Sequence, residues 1–298
     1  SQTIISHIMQ KEYERKDVSM KVEYMNILTI ETPEILNLYK DNLFSTCGNN
    51  PPKAVLMLGN APLILRDEMR KHWGDIPLIV CAESSYIGPD STYMYNQVVP
   101  QEDRIYLNKL RDEYNMTFLS ARAFIPESVQ LMRRMIPEMK SLLLIGDQTD
   151  RDIDYDQQLS ELIKIEHPDL DYKFLSAGTW SPDQLLDTLR RVVPEETGIL
   201  FASWFHKRMF AGNTLMMANS YKVIANSTLP CPFFALSSSI SSIEEDGTII
   251  GGCVYDMNLY CEAIVKIINA VADGKQARDI PSYDPEPIVL FNYPYIVD

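Results

Sequence analysis

Short apolar runs and amphipathic stretches alternate almost from end to end of this chain, and that alternation restricts its fold more than any single residue does. The runs KAVLMLG (53–59), IPLIVCAE (76–83), MTFLS (116–120), KSLLLIGD (140–147), DYKFLSA (171–177), GILFASW (198–204) and PFFAL (232–236) are mostly continuous blocks of apolar residues. Strands buried on both faces read this way, whereas half-exposed strands alternate polar with apolar. Between them lie helix-like segments at 33–47, 61–74, 125–139, 154–167, 181–193, 213–226 and 258–275. Pro62 opens one of these and Gly74 stops it, the asymmetry expected of helix ends, and Ser181 caps another ahead of Pro182. Strands that alternate with helices of roughly 10 to 15 residues imply βαβ units and parallel sheets.

Two such runs stand in series, so the expected fold is α/β, with two doubly wound parallel-sheet lobes. A length of 298 residues suits two lobes better than one core. A further strand is expected over 19–30. Residues 1–16 look helical, where a doubly wound lobe ordinarily opens on a strand. The Pro-rich tail 280–298 carries Ile288 and Leu290 in alternation and is expected to form an edge strand, where proline is tolerated.

Charge narrows the partners. The formal net charge is −14 and no basic run is present, so nucleic acid is not expected as a partner. No apolar stretch approaches the roughly 20 residues that span a bilayer. The five cysteines, Cys47, Cys81, Cys231, Cys253 and Cys261, show no CxxC spacing and are odd in number, which excludes a pure disulfide framework. Cys231 and Cys253 could still face each other on adjacent strands.

Catalytic signatures are sparse. GxGxxG, GxxxxGK[ST], HExxH and GxSxG are all missing, and His7, His72, His167 and His206 are scattered. Cys81 at a strand end, followed by Glu83 and Ser84, is the one candidate nucleophile, against the alternative of a packed core thiol. The run GDQTDRDIDYD (146–156) places Asp147, Asp150, Asp152, Asp154 and Asp156 at near-alternating positions. A calcium loop also needs glycine at its sixth position, and counting from Asp150 that position is Tyr155. A strand-to-helix loop with carboxylates at the helix N-terminus accounts for it better. No catalytic residue, metal or cofactor is therefore expected.

The carboxyl ends of the strands are more informative. They present Asn60, then Ser84, Ser85 and Tyr86, then Asp147 and Gln148, then Trp180, then Trp204 and Phe205, then Ser238, and finally Tyr255 and Asp256. Open α/β sheets bind ligands at these ends. Amides, hydroxyls and carboxylates pair with ligand hydroxyls, and indole rings stack on apolar sugar faces. Trp204 and Phe205 read equally well as a wall of a binding cleft or as aromatics packed under the next helix.

DGTIIGGCVYDMNLYCEAIVKIINAVADGKQARDIP (246–281), with Gly251-Gly252, Gly274-Lys275 and Ile280-Pro281, resembles the matching segment of type I periplasmic-binding folds, shared with LacI-type repressors. PPKAVLMLGN and MIPEMKSLLLIGDQ are similar to that family's second βαβ unit and to the entry of its second lobe. Within it, the VEYMN and LLLIGD strands are similar to extracytoplasmic sensor domains of hybrid two-component histidine kinases of Bacteroides type, and to transporter-associated relatives. The resemblance implies a multi-strand hinge crossed near residues 120, 254 and 285. The lobes would be 1–120 with 255–284, and 121–254 with 285–298. It implies a non-enzymatic, periplasmic sensor whose cleft closes on a small molecule, carbohydrate favoured, and which works with the rest of a membrane-anchored kinase. The alternative is a solute-binding protein of an ABC transporter. A homodimer suits such sensors, with no residue marking its interface.

Overall fold

The computed structural model describes residues 2–12, 18–25, 30, 32–47, 50–90, 99–204, 206–207, 214–215, 231–236 and 249–291. The first elements are α1 (Gln2–Glu12), α2 (Pro33–Cys47), β1 (Val55–Leu58), α3 (Arg66–Trp73), β2 (Leu78–Ala82), β3 (Tyr86–Ile87), β4 (Ile105–Tyr106), α4 (Leu107–Glu113) and β5 (Met116–Ser120). There follow α5 (Ile125–Met135), β6 (Ser141–Gly146), α6 (Asp150–Glu166), β7 (Asp171–Ser176), α7 (Pro182–Leu189), β8 (Thr197–Phe201), β9 (His206–Lys207), β10 (Thr214–Leu215), β11 (Phe233–Ala235), β12 (Gly251–Val254), α8 (Met257–Ala272) and β13 (Ile288–Phe291). The chain divides into two compact units, Ser1–Arg122 with Met257–Pro285 and Ala123–Asp256 with Glu286–Asp298. Among the described residues no helix is long and apolar enough to cross a membrane.

The first unit is built on a parallel sheet in the order β1-β2-β5, with β3 and β4 forming a separate antiparallel hairpin. Every residue of β2 is buried. Leu78, Val80 and Ala82 face a core shared with Leu36 and Phe44 of α2, Met69 of α3 and Leu107 and Leu110 of α4. On α8 the buried stripe is Tyr260, Cys261, Ile264, Ile267 and Val271, an i, i+1, i+4, i+7, i+11 spacing that keeps one face of the helix apolar. Tyr260 donates its hydroxyl to the Leu119 carbonyl of β5 at 3.1 Å.

Residues 61–74 do not form one helix. A 3₁₀ turn over Ala61–Leu65, with Leu63, Ile64 and Leu65 all buried, precedes α3. Gly74 then stops α3 at φ 78°.

The returning segment after α8 is tied to this unit by the buried side chains of Asn115 and Thr117 and the half-buried Arg111. Arg111 donates from Nε and Nη2 to the Arg278 carbonyl at 3.0 and 2.9 Å, and from Nη2 to the Ile280 carbonyl at 2.7 Å. Thr117 Oγ1 donates to the same Ile280 carbonyl at 2.9 Å. Asn115, in the left-handed region at φ 46°, donates to Gln276 Oε1 at 2.8 Å and accepts from the Arg278 amide at 3.2 Å.

The second unit holds a six-stranded sheet in the order β13-β12-β11-β8-β6-β7, parallel except for β13. The strand period of two sorts its side chains into two cores. Leu143, Ile145, Ile199, Phe201, Phe233 and Ala235 pack with Leu185 and Leu189 of α7. Leu142, Leu144, Leu200 and Phe234 pack on the other face with Val129 and Met132 of α5 and Leu159 and Ile163 of α6. Helices therefore cover both faces, the doubly wound arrangement expected from the continuous apolar runs.

β13 is the expected edge strand, and Gly251-Gly252 explain how it docks. A Cβ on Gly252 would lie 2.4 Å from the Ala235 carbonyl oxygen of β11, and one on Gly251, at φ 154°, would lie 2.3 Å from the Leu290 carbonyl oxygen of β13. Both contacts are with backbone, which cannot swing aside. Gly252→Ala will therefore cost about 1–3 kcal/mol by overpacking, read as a lowered urea midpoint, with amide exchange accelerated first in β11 and β12.

Two expected elements differ. The strand over 19–30 is not formed across residues 18–25, where Lys21 pairs with Glu23 at 2.6 Å and both stay exposed; residues 26–29 lie outside the described ones. Thr214 and Leu215 pair as β10 with β9 at the start of the helix expected over 213–226. The rest of that helix lies outside the described residues.

Candidate functional site

At the carboxyl end of the first unit's sheet, Asn60 follows β1 and is 4% exposed. Its Nδ2 donates to the Ser84 carbonyl at 3.0 Å, to Ser84 Oγ at 3.0 Å and to the Tyr86 carbonyl at 2.8 Å. Its Oδ1 accepts from the amides of Glu83 at 2.9 Å and Ser84 at 3.4 Å. Ser84 Oγ in turn donates to the Tyr86 carbonyl at 2.6 Å. An amide side chain has two donor hydrogens and one acceptor oxygen, so Asn60 has no capacity left for a ligand. Its expected binding role gives way to a clasp that fixes the loop after β2. Ser84 shares that duty.

Of the same set, Ser85 is exposed and Tyr86 half-buried. The Ser85 carbonyl accepts from the Leu107 amide at 2.9 Å, which seats α4 under the hairpin. The Tyr86 ring meets Tyr106 edge-on at 6.3 Å and carries the Arg104 guanidinium 4.3 Å above its centroid.

At the second unit's strand ends, Asp147 and Ser203 follow β6 and β8, and Asp152 lies in the first turn of α6; all three are buried. Ser203 Oγ lies 2.5 Å from Asp147 Oδ2 and also contacts Asp152 Oδ2. Asp152 accepts from the Asp147 amide at 2.8 Å and from Arg151 Nε at 2.9 Å. Thr149 caps α6 by accepting from the Asp152 amide at 3.3 Å. The result is a buried polar knot joining β6, β8 and α6. Two of the other three carboxylates of 146–156 serve elsewhere: Asp154 accepts from Gln158 Nε2 and Asp156 from the Tyr172 hydroxyl, each at 2.7 Å. Burial, with Asp156 beside it, pushes the Tyr172 hydroxyl upward. No group of three side chains suited to hold a metal ion occurs among the described residues.

Gln148 is exposed and lies across Gly178, where an added Cβ would fall 1.9 Å from its Cδ. Trp180 is half-buried against the α7 side of the core and has the Lys173 ammonium 4.4 Å from its ring centroid. Trp204 is 5% exposed and belongs to the core with Ile145, Phe201, Phe233 and Ile249. Of the two readings open to it, a cleft wall and a packed aromatic, its burial in this core accords with packing. Tyr255 is buried and Asp256 half-buried just after β12. Phe205 and Ser238 lie outside the described residues.

The thiol candidate also resolves. Burial pushes the Cys81 thiol up to about 12, and Cys253 up to about 11. A nucleophile must be a thiolate, so Cys81 is a core residue. The cysteines are free, and Cys231 and Cys253 do not face each other: the register that sets Ala235 opposite Gly252 puts Cys253 beyond Ala235, far along β11 from Cys231. Iodoacetamide at pH 8 is expected to leave Cys81 and Cys253 unmodified in the native protein and to label both in guanidinium, read by peptide mass. A neutral thiol favoured by folding stabilises below the unfolded thiol's pKa, and that share is lost as pH rises towards about 12.

Sequence reading missed two features. Asp152 was visible only as one of five acidic residues, and its burial depends on β6 and β8 meeting over the α6 N-terminus. Arg104 sits in no motif, and only the pairing of β3 with β4 brings it over Tyr86.

No family model and no curated protein matches the sequence. Solved structures do match over nearly the whole chain. A periplasmic solute-binding protein of an ABC transporter from Actinobacillus succinogenes, with bound D-allose, is 12% identical over 99% of this chain and 93% of its own, at a TM-score of 0.57. An ABC domain from Streptococcus pneumoniae in complex with L-Trp is 13% identical over 98% of this chain and 88% of its own, at 0.57. A LacI family transcriptional regulator from Bifidobacterium animalis subsp. lactis is 13% identical over 96% and 90%, at 0.56. The fold is that of the type I periplasmic binding proteins.

Proposed function

We propose that this chain is a non-enzymatic, extracytoplasmic binding protein for a small polar solute, of the kind that serves ABC transporters. The observation that carries this reading is the likeness of fold over nearly the full length to solute-binding proteins, one crystallised with D-allose. Hydroxyl, amide and aromatic groups at the strand ends, Ser85, Tyr86 and Gln148 above all, supply the chemistry that a hydroxylated solute needs. The kinase-sensor expectation has no counterpart among the structures named above, so transport takes precedence over it.

A thermal-shift screen against monosaccharides, short glycans, amino acids and nucleosides tests the proposal. A ligand at about 100 times its dissociation constant adds about 2.7 kcal/mol of stability. The expected result is a saturable rise with one solute class, reduced in Gln148→Ala and in Tyr86→Ala. Silence across all four classes would sink the reading.

A further inference from the structure

We propose that Arg104 is an anion-reading residue of the binding face, so that the solute carries a carboxylate, sulfate or phosphate group. The inference rests on the solute-binding reading above and names the chemistry of the ligand.

Three features single out this arginine. First, it is held in place: Nε donates to the Val99 carbonyl at 3.2 Å and the guanidinium lies 4.3 Å over the Tyr86 ring. Second, its platform is fixed, since the Tyr86 carbonyl accepts from both Asn60 Nδ2 and Ser84 Oγ, and Tyr86 pairs with Tyr106 across the hairpin. Third, the two terminal nitrogens make no hydrogen bond or ion pair with any described residue, Glu102 and Asp103 of the adjoining turn included. They are not buried either: among the described residues the buried, unpartnered side-chain nitrogens are those of His7 and Arg66.

A guanidinium stacked on an aromatic ring, with Nε already satisfied, keeps one planar edge of two N–H groups for an oxyanion. Side-chain entropy that would otherwise be lost on binding has already been lost on folding. The hairpin stands beyond the carboxyl end of β2, where Asn60 ties it to the end of β1. The surroundings sharpen the point. A chain of net charge −14 repels anions at long range, so an anionic solute needs a local cation to be retained.

The test uses matched pairs that differ in one charged group: D-glucose with D-glucuronate, D-galactose with D-galactose 6-sulfate, and D-glucose with D-glucose 6-phosphate. Each is titrated by thermal shift and calorimetry at low and high salt, with inorganic sulfate as the bare anion. The expected result is that one charged member binds at least tenfold more tightly than its neutral partner, and which one identifies the anionic group. Arg104→Ala should weaken that binding about 100-fold while lowering the ligand-free melting point by only a few degrees, the loss of one hydrogen bond and one ring contact, and Arg104→Lys should recover part of the binding, since an ammonium supplies charge without the fork. Equal binding of neutral and charged members, unaffected by Arg104→Ala, would overturn the anion assignment and leave the solute-binding reading standing. Failure of every charged member and of sulfate to bind the unaltered protein would likewise overturn the anion assignment, while the solute-binding reading stands or falls on the four-class screen above.

Discussion

Trp204→Ala is expected to lower the stability of the protein by about 3–5 kcal/mol, the range for removing a buried aromatic side chain from a core. The indole is 5% exposed and closes the face of the sheet that also holds Ile145, Phe201 and Phe233. Its removal leaves a cavity between β8 and the residues leading into β11, where neighbours fixed by sheet hydrogen bonds cannot collapse. Urea unfolding followed by far-UV circular dichroism measures the change. The midpoint should fall with an unchanged slope, and on the proposed function any solute binding should weaken only as far as folding does. A variant as stable as the parent that has lost its ligand would return Trp204 to the binding face.

Asp152→Ala is the second large effect, about 3–5 kcal/mol, the loss expected when one member of a buried, charge-paired network is removed. Asp152 is fully buried and accepts from the Asp147 amide and from Arg151 Nε, while its Oδ2 meets Ser203 Oγ. Without it, the Asp147 amide loses its acceptor and Asp147 and Ser203 are left facing a void. Asp152→Asn keeps the shape but places an amide against donors, so it should recover only part of the loss. A double-mutant cycle with Ser203→Ala reads the coupling directly: an interaction energy above about 0.5 kcal/mol identifies a network, and simple additivity would show two independent contacts.

The linear sequence marks Trp204 only as the end of a strand and Asp152 only as one of five acidic residues leading into a helix. GILFASW announces a strand buried on both faces, and β8 is that strand, yet the same run cannot say whether its last ring faces solute or core. The answer depends on what the neighbouring strands place beneath it, and Phe233 and Ile249 come from parts of the chain roughly 30 to 45 residues away. Asn60 is similar. An asparagine after a strand reads as a ligand group until Glu83, Ser84 and Tyr86 are seen to occupy its hydrogen bonds.

The elements that were legible have strong local signals. Apolar runs gave β1, β2, β5, β6, β8 and β11, the mixed run DYKFLSA gave β7, and the Ser181–Pro182 pair gave the start of α7, whose capping box with Gln184 is complete. The hairpin of β3 and β4 was not legible, because strands of two residues have no periodicity to detect. The acidic run at 146–156 looked like one motif and is several: a helix cap, a buried knot and two separate carboxylate contacts.

By itself the sequence determined the class of the fold, since burial on both faces leaves a strand no polar positions and a period near 3.6 leaves a helix one apolar stripe. These are local consequences of hydrophobic burial and survive without knowledge of partners. Which strand-end side chains are spent on the protein itself was decided only by the tertiary structure. Hydrogen bonds are directional and each donor is used once, so the free valences of Arg104 and the filled ones of Asn60 exist only after distant strands have met.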